Sequence, residues 1–343
     1  MPNNAIVKAL LSALLFGVST PLSKILIGRT NSFLLAGLLY IGSFVGLLPV
    51  YFWREKRAMP ARIDRNNLRK ISGAVICGGI IGPVLLLLGL RSACASAVAL
   101  WLNFEVVMTA LLGWLFFQDH LDSKGWCGVA GAFLAGLLLT ASEGFGAYLP
   151  ALLILGACTA WALDNHLTAL IDGITPVQST LLKGLIAGGT NVAIGLLISS
   201  SLPAFSTVLA AILLGAFSYG VSIALYISSA QKLGATRSQV IFSSAPVFGM
   251  LLAALLLSET IGPTQVTAAV ILLFSIWLLI QTRHTHLHRH EAMEHIHSHS
   301  HNDLHHDHHS GPEVINHHTH LHTHPAIEHD HPHLPDLHHR HNH

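Results

Sequence analysis

Charge is what this 343-residue sequence has least of: Asp, Glu, Lys and Arg make up 10% of it, against 52% hydrophobic residues and a mean hydropathy of +0.56. About a quarter of an ordinary globular chain is charged. There is too little polar surface here to cover a soluble fold of this size, which excludes a soluble enzyme and a nucleic-acid binder. Cysteine is also scarce. Cys77, Cys94, Cys127 and Cys158 form no C-x-x-C pair and lie in apolar stretches. That excludes a disulfide-stapled secreted domain and leads one to expect four buried thiols packing as small hydrophobes. No nucleotide-binding loop and no nucleophile–base set is present, so the chain is not expected to be an enzyme.

What is there is a series of long apolar runs. A membrane-spanning helix needs about 20 mainly apolar residues. Ten such runs lie near 5–27, 32–53, 71–90, 93–117, 124–142, 147–171, 176–199, 206–229, 236–257 and 263–281. The first is preceded only by Lys8 and has no small-residue cleavage site, so it reads as a retained helix. Ten spans put both termini on one side. With the termini inside, the inner segments carry 14 basic residues, including Arg54, Lys56, Arg57, Arg62, Arg65, Arg69 and Lys70 between spans 2 and 3. The outer segments then carry only Lys24, Arg29 and Arg91. The positive-inside rule therefore predicts a multi-pass protein of the cell (cytoplasmic, inner) membrane with both termini in the cytoplasm.

The chain also repeats itself. SAVALWLNFEVVMTALLGWLFFQD (96–119) aligns without a gap on TRSQVIFSSAPVFGMLLAALLLSE (236–259), each copy closed by an acid, Asp119 or Glu259. Upstream, ALLFGVSTPLSKILI (13–27) matches ACTAWALDNHLTALI (157–171). Each unit holds five spans, and an odd number inserts the second copy upside down relative to the first. The predicted fold is an all-α integral membrane protein of two inverted five-helix repeats, residues 5–142 and 147–281, followed by a tail at 282–343. Inverted repeats are a transporter architecture, with the substrate site near the midplane where the halves meet.

Ionisable groups inside spans are costly and are functional candidates by default. Glu105 lies mid-span with no basic residue at matching depth, and its repeat partner is Ala245. A carboxyl there favours its neutral form and can exchange a proton during transport; the alternative is a protonated Glu hydrogen-bonded to a neighbouring helix. Asp164 and Lys183 sit at similar depth on adjacent antiparallel spans and are placed to pair. That pair serves either as a structural salt bridge or directly on the substrate. Asp164, Asn165 and His166 are consecutive and fan over about 200° on a regular helix. The repeat partner of Asn165 is Pro21, which predicts a break shared by spans 1 and 6 that would turn all three side chains toward one cavity, His166 as a metal ligand among them. Asn103 and Asn191 are candidates to line the same cavity, with interhelical hydrogen bonding as the alternative. The G-x-x-x-G spacings at Gly42/Gly46, Gly78/Gly82 and Gly184/Gly188 read as close-packing surfaces. The oligomeric state stays open, a homodimer included.

Beyond the last span, 24 of 60 residues from His284 onward are histidine, often alternating, as in HTHLHRH (284–290) and HSHSH (297–301). No apolar periodicity accompanies them, so the tail is expected to be disordered. Neutral imidazole suits Ni, Co, Zn and Cu(II), and with no Cys and only Met293 the tail disfavours Cu(I). The candidate ligands begin with His284, His286, His288, His290, His295, His297, His299 and His301, and continue with His305, His306, His308 and His309. The bland alternative is a pH-sensitive solubilising tail.

The duplicated ten-span arrangement resembles the EamA-type drug/metabolite transporter superfamily over residues 5–281. The segments L-N-F-E (102–105), D-N-H-L-T (164–168) and K-G (183–184), with Asn191 and the His-rich extension, look most like its nickel/cobalt efflux members. The resemblance implies a secondary transporter that exports Ni²⁺ or Co²⁺ (Zn²⁺ is an open alternative) in exchange for protons. Its partners are then lipid, divalent metal ions and protons, with no tightly bound cofactor and no nucleic acid. The same superfamily exports amino acids and other metabolites, so a metabolite exporter with a metal-sensing tail is the runner-up. A membrane-anchored metal store is the alternative from another class.

Overall fold

A computed structural model of the chain describes residues 2–55, 65–117, 122–142, 145–171, 174–199 and 202–280, and 285–290, 293–299, 318–324 and 327–332 in the tail. The apolar runs form one helical bundle. Its helices are α1 (Asn4–Ile27), α2 (Ser32–Trp53), α3 (Arg65–Ser92), α4 (Ala95–Phe116) and α5 (Ser123–Ala141), then α6 (Tyr148–Ala169), α7 (Pro176–Ile198), α8 (Phe205–Leu233), α9 (Ser238–Leu257) and α10 (Pro263–Ile280). Eight of these are long and apolar enough to cross a membrane. The other two are α6, which carries Asp164–His166, and α10, whose apolar stretch is the shorter Pro263–Leu278. α3 begins at Arg65, ahead of the expected start at 71, so the basic cluster Arg65, Arg69 and Lys70 forms its first turns. Lys56, Arg57, Arg62 and the repeat-closing Asp119 lie outside the described residues.

Helix ends follow the local sequence. Asn31 caps α2 by accepting from the Leu34 N–H at 2.7 Å. Thr175 and Gln178 form a reciprocal capping box at α7, with Pro176 in the first turn, where its missing N–H costs nothing. The Glu259 carboxylate reaches across the bundle to accept from the N–H groups of Ala95 (2.9 Å) and Ser96 (2.8 Å), capping α4.

Interruptions recur in the two halves. α3 winds as a π-helix over Val75–Ile81 and α8 does so over Gly215–Val221, 140 residues later. α4 is interrupted at Leu102–Asn103 and α9 at Ser243–Ser244. A π-turn leaves carbonyls short of helical partners, and side chains from other helices supply them. Gly78 O accepts from Tyr40 Oη (2.5 Å) and Trp161 Nε1 (3.0 Å), Gly79 O from Asn191 Nδ2 (3.0 Å) and Tyr219 O from Ser43 Oγ (3.0 Å).

Packing crosses between the halves. α1 lies along α8 as α6 lies along α3; α4 meets α9, and α5 meets α10. α2 is held between α7 and α8. A Cβ on Gly184 or Gly188 would press on the backbone of α2, and one on Gly42 or Gly46 would press on Ile212 or Ala216 of α8. The small-residue surfaces read from the sequence are therefore spent inside this one chain. Leu152, Leu197, Phe205, Leu213, Phe274 and Trp277 are exposed on the outside of the bundle, where an apolar residue is at home only against lipid.

One expectation needs correction. Of the four thiols, only Cys158 is buried; Cys77 is half-buried, and Cys94 and Cys127 are exposed on the bundle surface, where an apolar run faces outward as readily as inward. In the tail, the described segments are extended: β1 (Thr285–His290) pairs antiparallel with β4 (Ile327–Pro332), and β2 (Met293–His299) with β3 (His318–His324). The alternation of His with other residues has the period of a strand. Isolated two-stranded ribbons are marginal in water, so these pairings give the tail no core of its own.

Candidate functional site

The polar groups of the bundle gather where α4, α6, α7 and α9 meet. Asp164 on α6 and Lys183 on α7 face one another across the helix pair that the capped α6–α7 connection makes antiparallel. Lys183 Nζ lies 2.6 Å from both carboxylate oxygens of Asp164, and Thr168 Oγ1, one turn on, donates to Oδ1 at 2.8 Å. Both charges are buried. A buried charge is tolerable when paired and hydrogen-bonded, and this pair meets that condition, as the spacing in sequence implies.

Glu105 sits two residues past the interruption in α4, so its side chain enters the bundle from the first turn of the second half-helix. It is 6% exposed, and its Oε1 accepts from Asn165 Nδ2 at 2.8 Å. Among the described residues no basic side chain pairs with it. The same Asn165 Nδ2 donates to Gln239 Oε1 on α9 at 3.2 Å. One amide thus ties the acid of the first half to a side chain of the second.

These groups border a common cavity with about 50 Å³ of room for the centres of water-sized molecules. Glu105, Asp164, Asn165, Thr168, Lys183 and Gln239 supply its polar side, and six aromatic rings, Tyr226 among them, supply most of the rest together with Ile223 and Ile227. By the measure that one water occupies about 10–15 Å³ of such room, the cavity takes a few waters or a small hydrated ion. It lies toward the end of the bundle where α6 ends and α7 begins, the end expected to face the cytoplasm. A smaller hollow of about 10 Å³ shares Glu105 and Gln239 and continues toward Thr20 and Gly249.

The structure does not bring together everything the sequence suggested. α1 does break, at Val18, where Pro21 has no N–H to offer the preceding turn. α6 has no matching break and runs as one helix from Tyr148 to Ala169. Asp164 and Asn165 both reach the cavity from that unbroken helix, but His166, another 100° round, does not. Its Nε2 donates to Thr109 O at 2.9 Å and its ring stacks on Phe117 at 4.4 Å, tilted by 9°. Asn103 donates to Leu100 O at 2.8 Å within the interruption of α4, and Asn191 serves the π-turn at Gly79. Neither lines the cavity. Among the described residues no three His, Cys, Asp or Glu side chains cluster as a metal centre. In the tail, His284, His301, His305, His306, His308 and His309 lie outside the described residues, while His286, His288, His290, His295, His297 and His299 fall in β1 and β2. Gln239 was not anticipated. Its side chain is a neutral amide and carries no charge to mark it, although a Gln four residues before the interruption of an apolar span is itself a signal.

The sequence pattern of the EamA-like transporter family matches the chain twice, over residues 3–141 and again over 149–281. An uncharacterized transporter of Methanothermobacter thermautotrophicus is 26% identical over 293 residues, covering 78% of this chain and 83% of that protein. A protein of known crystal structure superposes with a TM-score of 0.64 over 81% of this chain and 98% of its own length, at 15% identity, a likeness of fold.

Proposed function

Since the chain belongs to the EamA-like transporter family, we propose that it exports a divalent transition-metal cation, Ni²⁺ or Co²⁺, in exchange for protons, with Glu105 as the group that holds either. The observation that carries this reading is the contrast between the two buried acids. Asp164 is closed off by Lys183, so that pair adds no net charge to the cavity. Glu105 accepts from a neutral amide and, among the described residues, pairs with no basic side chain, so its ionisation leaves the cavity with one uncompensated negative charge. Such a site accepts a cation when ionised and releases it when a proton arrives, which is the alternation an exchanger needs.

In this proposal the two matched halves are inverted five-helix repeats making ten spans, both termini are cytoplasmic, and the protein sits in the cell membrane. The His-rich tail gathers metal at the cytoplasmic mouth. A mere metal store would have no use for buried charges around a cavity. The aromatic wall supports a second reading, in which the cargo is an amino acid or other small metabolite and the tail only senses metal. The deciding experiment is uptake into everted vesicles, with and without an imposed proton gradient, for Ni²⁺, Co²⁺, Zn²⁺ and a set of amino acids. Gradient-dependent metal uptake is the expected result; amino-acid uptake without metal uptake would favour the second reading.

A further inference from the structure

One carboxylate is a thin hold on a cation, and the cavity offers more. Two side-chain oxygens from opposite halves converge on a single atom: Glu105 Oε1 on α4 and Gln239 Oε1 on α9 both accept from Asn165 Nδ2, at 2.8 and 3.2 Å. An amide N–H is the positive end of a dipole, and two acceptors aimed at it mark a point of negative potential. Both residues are buried, Gln239 to 2% exposure, so that potential is weakly screened by solvent. A further oxygen stands ready. The Tyr226 hydroxyl is buried, borders the same cavity and has no hydrogen-bond partner among the described residues.

We infer that Glu105 and Gln239, with Asn165, form an oxygen-donor cation site spanning the two halves, in which the Asn165 N–H holds the place that a cation takes. The incoming cation repels that N–H. Asn165 turns its amide over and presents Oδ1, and the oxygens of Glu105 and Gln239 pass from the amide to the ion. Cavity water completes the coordination. Because α4 and α9 then share the ion, loading ties the halves together and release lets them part. The inference rests on the reading of Glu105 as the exchange site and adds its ligands. The donors are all oxygen, a set that suits hard cations and separates divalent ions weakly, unlike the imidazoles of the tail. Choice among metals therefore belongs to the tail, and the membrane site accepts Mn²⁺ much as it accepts Co²⁺.

The test is initial-rate uptake of Co²⁺ and Mn²⁺ by the full-length protein in proteoliposomes, for the wild type, Glu105→Gln, Gln239→Met and Gln239→Glu. Loss of a ligand weakens binding with little change in turnover, so Gln239→Met is expected to raise KM by about fivefold or more and leave kcat within about twofold. Gln239→Glu supplies a second carboxylate and is expected to lower KM by about threefold and slow release. A packing role would lower kcat in both variants and move KM in neither. With residues 284–343 deleted, so that the tail cannot choose between metals, the KM values for the two metals should agree within about threefold, and a preference for Co²⁺ of about a hundredfold in that variant would overturn an oxygen-only site. Wild-type KM in both Gln239 variants beside an inactive Glu105→Gln would overturn the inference and leave the Glu105 reading standing. Wild-type transport by Glu105→Gln would bring down that reading itself. If the Gln239 variants fail to insert, Mn²⁺ must still raise the melting temperature of the purified wild type more than that of Glu105→Gln, and equal shifts overturn the inference.

Discussion

Lys183 Nζ is equidistant, at 2.6 Å, from the two carboxylate oxygens of Asp164, so the ammonium lies in the fork of the carboxylate. With Thr168 donating to the same acid from one turn away, this contact fixes the register of α6 against α7 beside the cavity. It also removes Asp164 from the charge balance, which is why Glu105 stands out.

Removing either member strands the other in a buried setting, at a cost of about 3–5 kcal/mol, whereas removing both strands nothing. Asp164→Asn and Lys183→Met should each lower the melting temperature and the folded yield of the purified protein sharply. The double change should recover a substantial part of the loss. A double variant no better than the worse single one would show that the pair does not act as a unit.

At Glu105 the expected result is different in kind. Gln is nearly isosteric and neutral, so Glu105→Gln should insert and melt like the wild type and yet lose gradient-driven export. Glu105→Asp retains a carboxylate one methylene shorter and should keep reduced activity. Metal flux in vesicles with and without a proton gradient separates these outcomes, and unimpaired export by Glu105→Gln would make Glu105 a packing residue.

The helical runs, the duplicated pattern and the Asp164–Lys183 pair were legible in the sequence, because each rests on a rule with a fixed length or period. Apolar length sets a helix, and two charges at equal depth on neighbouring helices find each other. The shared break expected from Pro21 was not realised in α6, since Asn165 keeps the backbone N–H that Pro21 lacks and nothing there forces the helix apart. His166 then follows the helical fan onto Phe117. Gln239 was hidden for another reason. Its importance lies in which atom Asn165 points at, and that is set by the crossing of α6 with α9, which no local pattern encodes. The buried Asn103 and Asn191 answer to interrupted and π-helical backbone, features that sequence periodicity does not report.

Gly78 illustrates how closely backbone and ion pair fit. It lies in the π-helical stretch of α3, and a Cβ built there would collide with the carboxylate of Asp164. Gly78→Ala should therefore displace the acid from Lys183 and destabilise the protein by about 1–3 kcal/mol, in the range of overpacked cores. Gly146, where a Cβ would meet nothing within 4 Å, is the control and should tolerate Ala. Thermal unfolding of the two variants in detergent compares them directly. Equal melting temperatures would mean that α3 can shift away from α6 at little cost.

The tail supplies the pH test. Imidazoles titrate near pH 6.5 and must be unprotonated to bind metal, so metal held by the 24 tail histidines should be strong at pH 7.5 and nearly absent at pH 5. The sign follows directly: lowering the pH adds the protons that compete with the metal. The 8 acids of the tail are too few and too scattered to take over. Comparing metal bound by the full-length protein with that bound by a variant lacking residues 284–343, at both pH values, isolates the tail's share. That share, the difference between the two proteins, should collapse on acidification, and the truncated protein should release its smaller amount of metal as well, since a proton displaces the cation from Glu105. Because the bundle and its buried charges survive the deletion, the truncated protein should still export metal, at a higher concentration for half-maximal rate. Binding by the tail that stayed flat between the two pH values would show that carboxylates dominate it. Complete loss of export in a properly inserted truncation would place the tail within the transport pathway itself.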